Sequence, residues 1–182
     1  MSDNHLNLAE LLDEDDLHTF CRFVGSPYTP PDVSIQPDGN PYLYRWHLLP
    51  YTKEGPNVFL HIQVASDPER PLHDHPWDNT SHILAGGYDE LTLPGSPFAI
   101  RQVFSRFTGQ TIHRKAEEAH RLILPANVPY TMTLFTTGQH RRDWGFWCHD
   151  HRGRAVWVPN WECLGEDGKF REPGTLPTEI TT

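Results

Sequence analysis

The chain has few cysteines and no long apolar run, and each scarcity excludes a class of protein. Its three cysteines, Cys21, Cys148 and Cys163, are odd in number and form no CxxC pair. They predict free thiols in a reducing compartment and argue against a disulfide framework. No apolar stretch approaches the length of a membrane-spanning helix, and the acidic first residues lack the basic-then-apolar pattern of a signal peptide. These observations predict a cytoplasmic protein with no membrane partner.

Basic residues are also scarce, since 15 Lys and Arg stand against 24 Asp and Glu, for a formal net charge of −9. This balance predicts no nucleic-acid partner, because contacts to phosphates need a basic face. Small anionic ligands remain compatible with it, because they respond to local charge and not to net charge. Aromatic residues make up 12% of the 182 residues and include six Trp, which predicts one folded domain with a real core.

Helical patterning is confined to residues 5–24, where leucines and phenylalanines supply an apolar face. The acidic run Asp13–Asp16 falls inside this stretch and can cap a second short helix. Residues 25–40 are rich in Pro, Gly and Ser, which predicts a connection that runs over the surface. The N-terminus is therefore expected to be a short helical segment followed by a loop.

From residue 41 onward, short segments of β-branched and aromatic residues alternate with Pro and Gly breaks. The predicted strands cover residues 42–49, 57–65, 80–86, 88–93, 98–104, 120–124, 130–137, 143–149 and 155–159. Many short strands without intervening helices predict an all-β sandwich or barrel, and the lack of an internal repeat predicts one barrel. The expected organisation is an N-terminal helical segment and loop (1–40), a barrel (41–164) and a polar C-terminal tail (165–182).

The segment PLHDHPWDNTSHILAGGYDE carries the strongest chemical signal in the sequence. Side chains alternate faces along a β-strand, so His73 and His75 share one side and Asp74 points to the other. Two imidazoles placed in this way can both reach one metal ion at about 2.0–2.1 Å. A second segment, FTGQTIHRKAEEAHRLILP, adds His120 at the start of an apolar strand. It also contains His113, which lies among charged residues and is expected at the surface.

Together the two segments resemble the paired motifs of the cupin superfamily, whose first motif has HxH, then an acid, then a glycine. HDHPWDNTSHILAG keeps the histidines, the proline and Gly86, and the second segment keeps Gly109 and His120. The acid of the family motif falls on Asn79 or one residue later, so the usual glutamate ligand is missing. The resemblance covers residues 40–160 and implies a single cupin-type barrel, a double-stranded β-helix.

The resemblance further implies one divalent metal ion held by His73, His75 and His120. A neutral set of three imidazoles suits Fe(II), Zn(II), Ni(II) or Cu(II), and affinity alone does not select among them. The set is similar to that of the thiol dioxygenases, but their Ser-His-Tyr set has no counterpart in the strand YTMTLFTT, which argues against thiol oxidation. Asp78 lies one residue before the family's acid position, and both a turn role and a metal contact are open for it.

A closer similarity is to a group of uncharacterised small bacterial and phage cupins. These share an HDHPW motif, a later GGY and a WGF near the C-terminal end. All three are present here, as His73–Trp77, Gly86–Tyr88 and Trp144–Phe146. This resemblance implies the fold and the metal site but no particular reaction.

Several other side chains are candidates for binding a substrate. A guanidinium inside the barrel would hold a carboxylate by a bidentate contact, and the candidate cations are Arg45, Arg101, Arg141 and Arg142. Arg45 alternates with Tyr44 and Trp46 and so occupies one face, and Arg142 precedes Trp144 by two residues and shares its face. Tyr88 is a candidate for the mouth of the cavity. His61 is either a supporting hydrogen-bond donor or a core histidine. A second HDH, at residues 149–151, precedes a predicted hairpin turn and lacks a third ligand, so no metal is expected there.

The leading hypothesis is a mononuclear metalloenzyme, an Fe(II)-dependent dioxygenase acting on a small organic acid. Three imidazoles would hold the ion and leave adjacent positions for substrate and O2. A non-redox isomerase, lyase or hydrolase with Zn(II) or Ni(II) is the alternative, and a non-catalytic barrel that binds a metabolite is a third. The cupin resemblance also leaves a homodimer built through barrel edges as an option.

Overall fold

A computed structural model describes residues 6–36, 39–93, 101–150, 152–165 and 170–171 of the chain. The helices in these stretches are α1 (Leu8–Leu11), α2 (Glu14–Val24) and α3 (Asn160–Cys163). The strands are β1 (Val33–Ile35), β2 (Leu43–His47), β3 (Asn57–Gln63), β4 (Leu72–His73), β5 (Asn79–Ala85), β6 (Gly87–Leu93), β7 (Gln102–Phe107), β8 (Thr111–Arg114), β9 (Ala119–Ile123), β10 (Thr131–Thr137), β11 (Gly145–His149) and β12 (Ala155–Pro159). Strands dominate, so the predicted all-β class with a short N-terminal helical segment is confirmed.

The strands form two antiparallel sheets in the described part of the chain. The first sheet has the order β1-β2-β3-β10-β5-β8, and the second has the order β12-β11-β4-β9-β6-β7. Strands distant in sequence are neighbours in both, since β10 lies between β3 and β5 and β9 lies between β4 and β6. The sheets enclose a cavity and give the expected cupin-like barrel. Their hydrogen-bond ladders stay separate within the described residues and do not close into one ring.

The N-terminal helices cover the outer face of the first sheet. The N-cap of α2 is Asp13, whose side chain accepts a hydrogen bond from the Asp16 amide at 2.8 Å, as the acidic run predicts. The helix ends at Gly25, whose φ of 93° suits glycine. Phe20 is fully buried and packs edge to face on Trp46, with ring centroids 4.9 Å apart. No helix in the described stretches is long and apolar enough to cross a membrane.

Alternation along β2 places one cation in the barrel interior. Tyr44 and Trp46 are buried on the helix-covered face, in a cluster with Leu60 of β3. Arg45 lies between them in sequence, so its side chain projects from the opposite face and lines the cavity. Its register partner on β3 is His61, which also lines the cavity. The first sheet thus presents an apolar face to the helices and polar groups to the interior.

Parts of the fold differ from the sequence expectation or lie outside the described residues. The stretch 25–40 is predicted as a surface loop but contains β1, because its Val-Ser-Ile run pairs with β2. The short strands β4 and β8 are also not predicted as strands of their own. The predicted strand at 98–104 overlaps β7 at residues 102–104, and its first three residues lie outside the described part of the chain. Most of the tail at 165–182 also lies outside the described residues. The expected boundaries between the three segments stay predictions.

The turn between β5 and β6 requires a glycine. Gly86 has a φ of +71°, and a Cβ placed on it would lie 2.2 Å from the carbonyl oxygen of Tyr130. We expect Gly86→Ala to lower the free energy of unfolding by about 2–4 kcal/mol, because backbone strain and overpacking act together. Gly109→Ala is the matched control, because Gly109 also has a positive φ, +87°, but a Cβ placed on it would meet nothing within 4 Å.

The free energy of unfolding of the Gly109→Ala control should fall by only about 1–2 kcal/mol, because backbone strain acts there without overpacking. Urea unfolding of both variants measures the difference in stability. Equal unfolding midpoints for the two variants would contradict the steric argument at Gly86.

Candidate metal centre

Three histidine side chains meet inside the barrel. β4 and β9 are antiparallel neighbours, and their register sets His73 directly opposite His120. His75 lies two residues after His73 and returns to the same side, so that one nitrogen from each ring lies within 4.8 Å of the others. The ring centroids are 5.1 or 5.2 Å apart in every pair. The structure therefore brings together the three residues proposed as ligands.

The contact between His75 and His120 fits a shared cation. Their Nε2 atoms are 2.9 Å apart. Two nitrogens that each lie about 2.0–2.1 Å from one ion, at a right angle, are separated by about 2.9 Å. Burial lowers the pKa of His73 and of His75 well below the usual value, so both imidazoles are neutral and offer a lone pair.

A buried carboxylate orients the third ring. Glu90 on β6 is 1% exposed, and its Oε1 accepts a hydrogen bond from Nδ1 of His120 at 3.0 Å. An ionised carboxylate only accepts, so Nδ1 is the donor in this contact, and Nε2 faces the ring of His75. Histidines that bind metals usually have such a partner behind them. The arrangement can hold a divalent ion such as Fe(II), Zn(II) or Ni(II) through three nitrogens.

Two guanidinium groups keep Glu90 ionised. Arg114 donates from Nε to Oε1 at 2.5 Å, and Arg106 donates from Nε to Oε2 at 2.8 Å. Burial alone would raise the pKa of Glu90, but the hydrogen bond from His120 and the charge of Arg114 outweigh it and hold that pKa well below its usual range. The Arg114 side chain is only 4% exposed, so Arg114 and Glu90 form a buried ion pair in which each compensates the other.

Arg114 also reaches two hydroxyl groups that line the cavity. Its Nη1 donates to Oγ of Ser81 at 3.3 Å and to Oδ1 of Asn79 at 3.4 Å, and its Nη2 donates to Oη of Tyr88 at 3.2 Å. Burial raises the pKa of Tyr88, so the phenol keeps its proton. Tyr88, a candidate site residue from the sequence, is thus a cavity residue fixed from behind by a buried cation.

The histidines line a cavity of about 610 Å³ between the two sheets. Its walls are largely apolar, with a few polar groups, which is the usual composition of a small-molecule site. Trp77 stacks on His75 with ring centroids 4.9 Å apart, and Trp144 stands edge-on to His73 at 6.3 Å. The cavity is also lined by Tyr42, Arg45, His61, Asp67, Arg70 and Phe135.

Two arginines line the cavity without an ion-pair partner among the described residues. Arg45 donates from Nε to Nε2 of His61 at 2.9 Å, and burial lowers the pKa of His61 well below its usual value, so this partner is neutral. Arg70 packs over the ring of Phe146 at 5.3 Å, and its buried Nε has no hydrogen-bond partner in the described part of the chain. Arginines that line a cavity without an anionic partner favour the binding of an anionic ligand.

Arg142, another of the predicted arginines, does not line the cavity. The expectation that it shares a face with Trp144 assumes a strand, but β11 begins only at Gly145, so alternation does not apply. Its Nη1 donates to Oδ2 of Asp74 at 2.6 Å. Asp74 is fully buried and also accepts from the Gly145 amide at 2.7 Å and from Nε1 of Trp157 at 2.8 Å. Arg142 therefore stabilises the middle of the HDH motif and is not part of the cavity wall.

Asp78 belongs to a turn network and not to the histidine cluster. Its Oδ1 accepts from the Ala116 amide at 2.9 Å and from Arg141 at 2.8 Å, and its Oδ2 accepts from Lys115 at 3.1 Å. Burial works to raise the pKa of Asp78, but the hydrogen bonds from Ala116 and Lys115 outweigh it and lower that pKa. Of the two roles that the sequence left open for Asp78, a turn role and a metal contact, these contacts favour the turn role.

The other histidine candidates lie apart from the cluster. His113 is exposed, and its Nδ1 contacts Oγ1 of Thr80 at 2.9 Å. In the second HDH, Asp150 accepts hydrogen bonds from the amide and Nε of Arg154 at 2.8 and 2.7 Å. It therefore anchors the predicted turn, while His151 lies outside the described residues.

Sequence reasoning does not identify three residues that shape the site, namely Arg70, Glu90 and Arg114. A signal for Glu90 exists, because it follows Tyr88 by two residues on one strand and so faces the same side. Arg114 lies on β8, which is not predicted, and Arg70 lies outside any strand. Their positions depend on contacts between distant segments, which local patterns do not reveal.

No protein-family model and no curated protein matches the chain. Among solved structures, an Fe(II) form of HppE with an alternative substrate is 12% identical, with a TM-score of 0.45, over 71% of this chain and 77% of that chain. Hydroxypropylphosphonic acid epoxidase from S. wedmorenis is 14% identical, with a TM-score of 0.44, over 72% and 77%. An HTH_3-family transcriptional regulator from Vibrio cholerae is 15% identical, with a TM-score of 0.42, over 65% and 62%. At these values none of them assigns a reaction to this chain.

Proposed function

We propose that the protein is a mononuclear metal-dependent enzyme, an Fe(II)-dependent dioxygenase that acts on a small organic acid. The observation that supports this most directly is a cluster of three histidines in a cavity that also contains two arginines without an ion-pair partner among the described residues. His73, His75 and His120 would hold the ion. When bound, Fe(II) would supply the redox chemistry that couples an organic substrate to O2.

Two arginines would bind and orient the acid. The planar guanidinium of Arg45 is held by its contact with His61. Its side chain therefore loses less conformational entropy when a substrate binds. The buried Nε of Arg70 lacks a partner among the described residues, so a carboxylate would restore a missing hydrogen bond. Fixed cations of this kind hold a substrate in one orientation relative to the histidines.

The remaining cavity residues would exclude water and hold a proton. Trp77 stacks on His75 and also contacts Phe135, with ring centroids 5.7 Å apart, so two aromatic rings cover this side of the cluster. The protonated phenol of Tyr88 would hold its proton at Oη inside the cavity, where it can donate a hydrogen bond to a bound ligand.

Oxygen uptake after anaerobic loading with Fe(II) tests the proposal. We expect at least one acid from a broad panel of acids, thiols and diketones to stimulate O2 consumption in the wild type. The double variant His73→Ala/His120→Ala should lose this consumption, and Arg70→Met should raise KM for the acid about tenfold or more. Turnover with Zn(II) under argon, or no O2 uptake with any compound of the panel, would contradict the proposal.

A further inference from the structure

We infer that the cavity binds an organic acid that carries oxygen acceptors at both ends. One end is held by the arginine pair, Arg45 and Arg70. The other end is held by the hydroxyl pair, Ser81 and Tyr88. The inference rests on the proposed function for its site and deepens it by naming a ligand class, a dicarboxylate or a close equivalent.

The hydroxyl pair is fixed as a pair of hydrogen-bond donors. Both oxygens accept from Arg114, and a guanidinium has donors only. The hydroxyl protons of Ser81 and Tyr88 must therefore point elsewhere, and within the described stretches neither has an acceptor among the protein atoms. Both side chains line the cavity, so their protons are available to a ligand. Arg114 acts here as a positioning residue, because it sets the direction of donation without lining this cavity itself.

The arginine pair lies together at a different place in the cavity. Contacts of β3 support this, because Gln63 pairs with Leu43, two residues before Arg45, and its Nε2 donates at 3.4 Å to Oδ1 of Asp67, three residues before Arg70. Both arginine side chains line the cavity. Asp67 also lies in the cavity wall, where burial raises its pKa and its Oδ2 accepts from the Leu122 amide at 2.8 Å.

Strand order separates the two pairs. In the first sheet β2, which carries Arg45, is separated from β5, which carries Ser81, by β3 and β10. In the second sheet β4, which follows Arg70, is separated from β6, which carries Tyr88, by β9. Neighbouring strands lie about 4.8 Å apart, so the two ends are on the order of 10–14 Å apart at the backbone.

The histidine cluster lies between the two ends. His73 and His120 lie on β4 and β9, the strands that precede β6 in the second sheet. Nε2 of His75 lies 2.9 Å from that of His120, and its ring lies 6.4 Å from the ring of Phe135 on β10, the strand between β3 and β5 in the first sheet. An acid that spans the cavity would therefore pass the three histidines with its middle carbons.

Binding of matched acids to the full-length chain after metal removal tests the inference. Calorimetry would compare the dicarboxylates from succinate to suberate with the monocarboxylates of equal carbon number. We expect the best dicarboxylate to bind about tenfold or more tightly than its monocarboxylate partner, because the second carboxylate gains two charge-assisted hydrogen bonds. Tyr88→Phe should remove most of this advantage, because the dicarboxylate should lose much more affinity than the monocarboxylate does.

Variants at the two ends separate the two contacts. Arg70→Met should weaken both kinds of acid, whereas Tyr28→Phe, a control at a tyrosine that is 88% exposed, should change neither. The double variant Glu90→Gln/Arg114→Met removes the buried charges together and should lower the dicarboxylate advantage as Tyr88→Phe does. Equal binding of the two acid series, or equal losses for both in Tyr88→Phe, would overturn the inference.

The outcome is independent of the metal. A chain that prefers dicarboxylates but never takes up a divalent ion would support the ligand class and contradict the proposed enzyme. A chain that consumes O2 with monocarboxylates and shows no preference for dicarboxylates would support the enzyme and overturn the ligand class.

Discussion

Replacing His120 with Ala is expected to lower the affinity for a divalent ion by about 100-fold or more, since loss of an outer partner alone typically costs 10- to 100-fold. The change removes one of three converging nitrogens and leaves Glu90 without the ring that it orients. At a metal concentration 100 times the wild-type Kd, binding stabilises the wild type by about 2.7 kcal/mol, and a 100-fold weaker variant gains only about 0.4 kcal/mol.

Thermal unfolding with and without Zn(II) measures this difference, and elemental analysis of protein purified without chelator gives the metal content. His113→Ala is the matched control, because His113 is an exposed histidine that contacts Thr80 outside the cluster. It should keep the full stabilisation by metal. If His120→Ala and the wild type gain equally from Zn(II), the three histidines are not the metal site.

Glu90→Ala is expected to lower the free energy of unfolding by about 3–5 kcal/mol, the usual cost of leaving one member of a buried ion pair alone. The guanidinium of Arg114 would remain almost fully buried and would keep only neutral partners. For a chain of this size such a loss shifts Tm by on the order of 10 °C. Urea unfolding at neutral pH measures the change in free energy.

Two further variants control this result. Glu117→Ala removes a carboxylate that is 49% exposed and contacts Arg141 at 3.4 Å, so it should change stability by less than about 0.5 kcal/mol. Glu90→Leu/Arg114→Met removes both buried charges and should be more stable than Glu90→Ala. A cost below about 1 kcal/mol for Glu90→Ala would mean that water or another group compensates Arg114.

Local geometry explains why much of the site could be anticipated from the sequence. Two histidines one residue apart share a side of an extended segment, and His75 approaches His73 as this rule predicts although β4 ends at His73. The same rule places Arg45 opposite Tyr44 and Trp46, and the structure has it there. The all-β class follows equally from short β-branched segments without helices between them.

Contacts between distant segments could not be anticipated in this way. Arg114 on β8 lies 24 residues after Glu90 and 26 residues after Tyr88, both on β6, and only the packing of the two sheets brings it to them. Arg142 differs for a local reason, because β11 begins only at Gly145 and alternation does not set the side on which Arg142 lies.

The contacts of Asp74 determine how the centre could be transplanted to another scaffold. A graft of the HDH tripeptide would carry two ligands but would leave the carboxylate between them unpaired in its new host. Its partners come from far along the chain, with Gly145 lying 71 residues and Trp157 lying 83 residues away. The unit to be moved is therefore discontinuous. A protein designer would have to move β4, β11 and β12 together to satisfy Asp74, and β9 with them to supply His120.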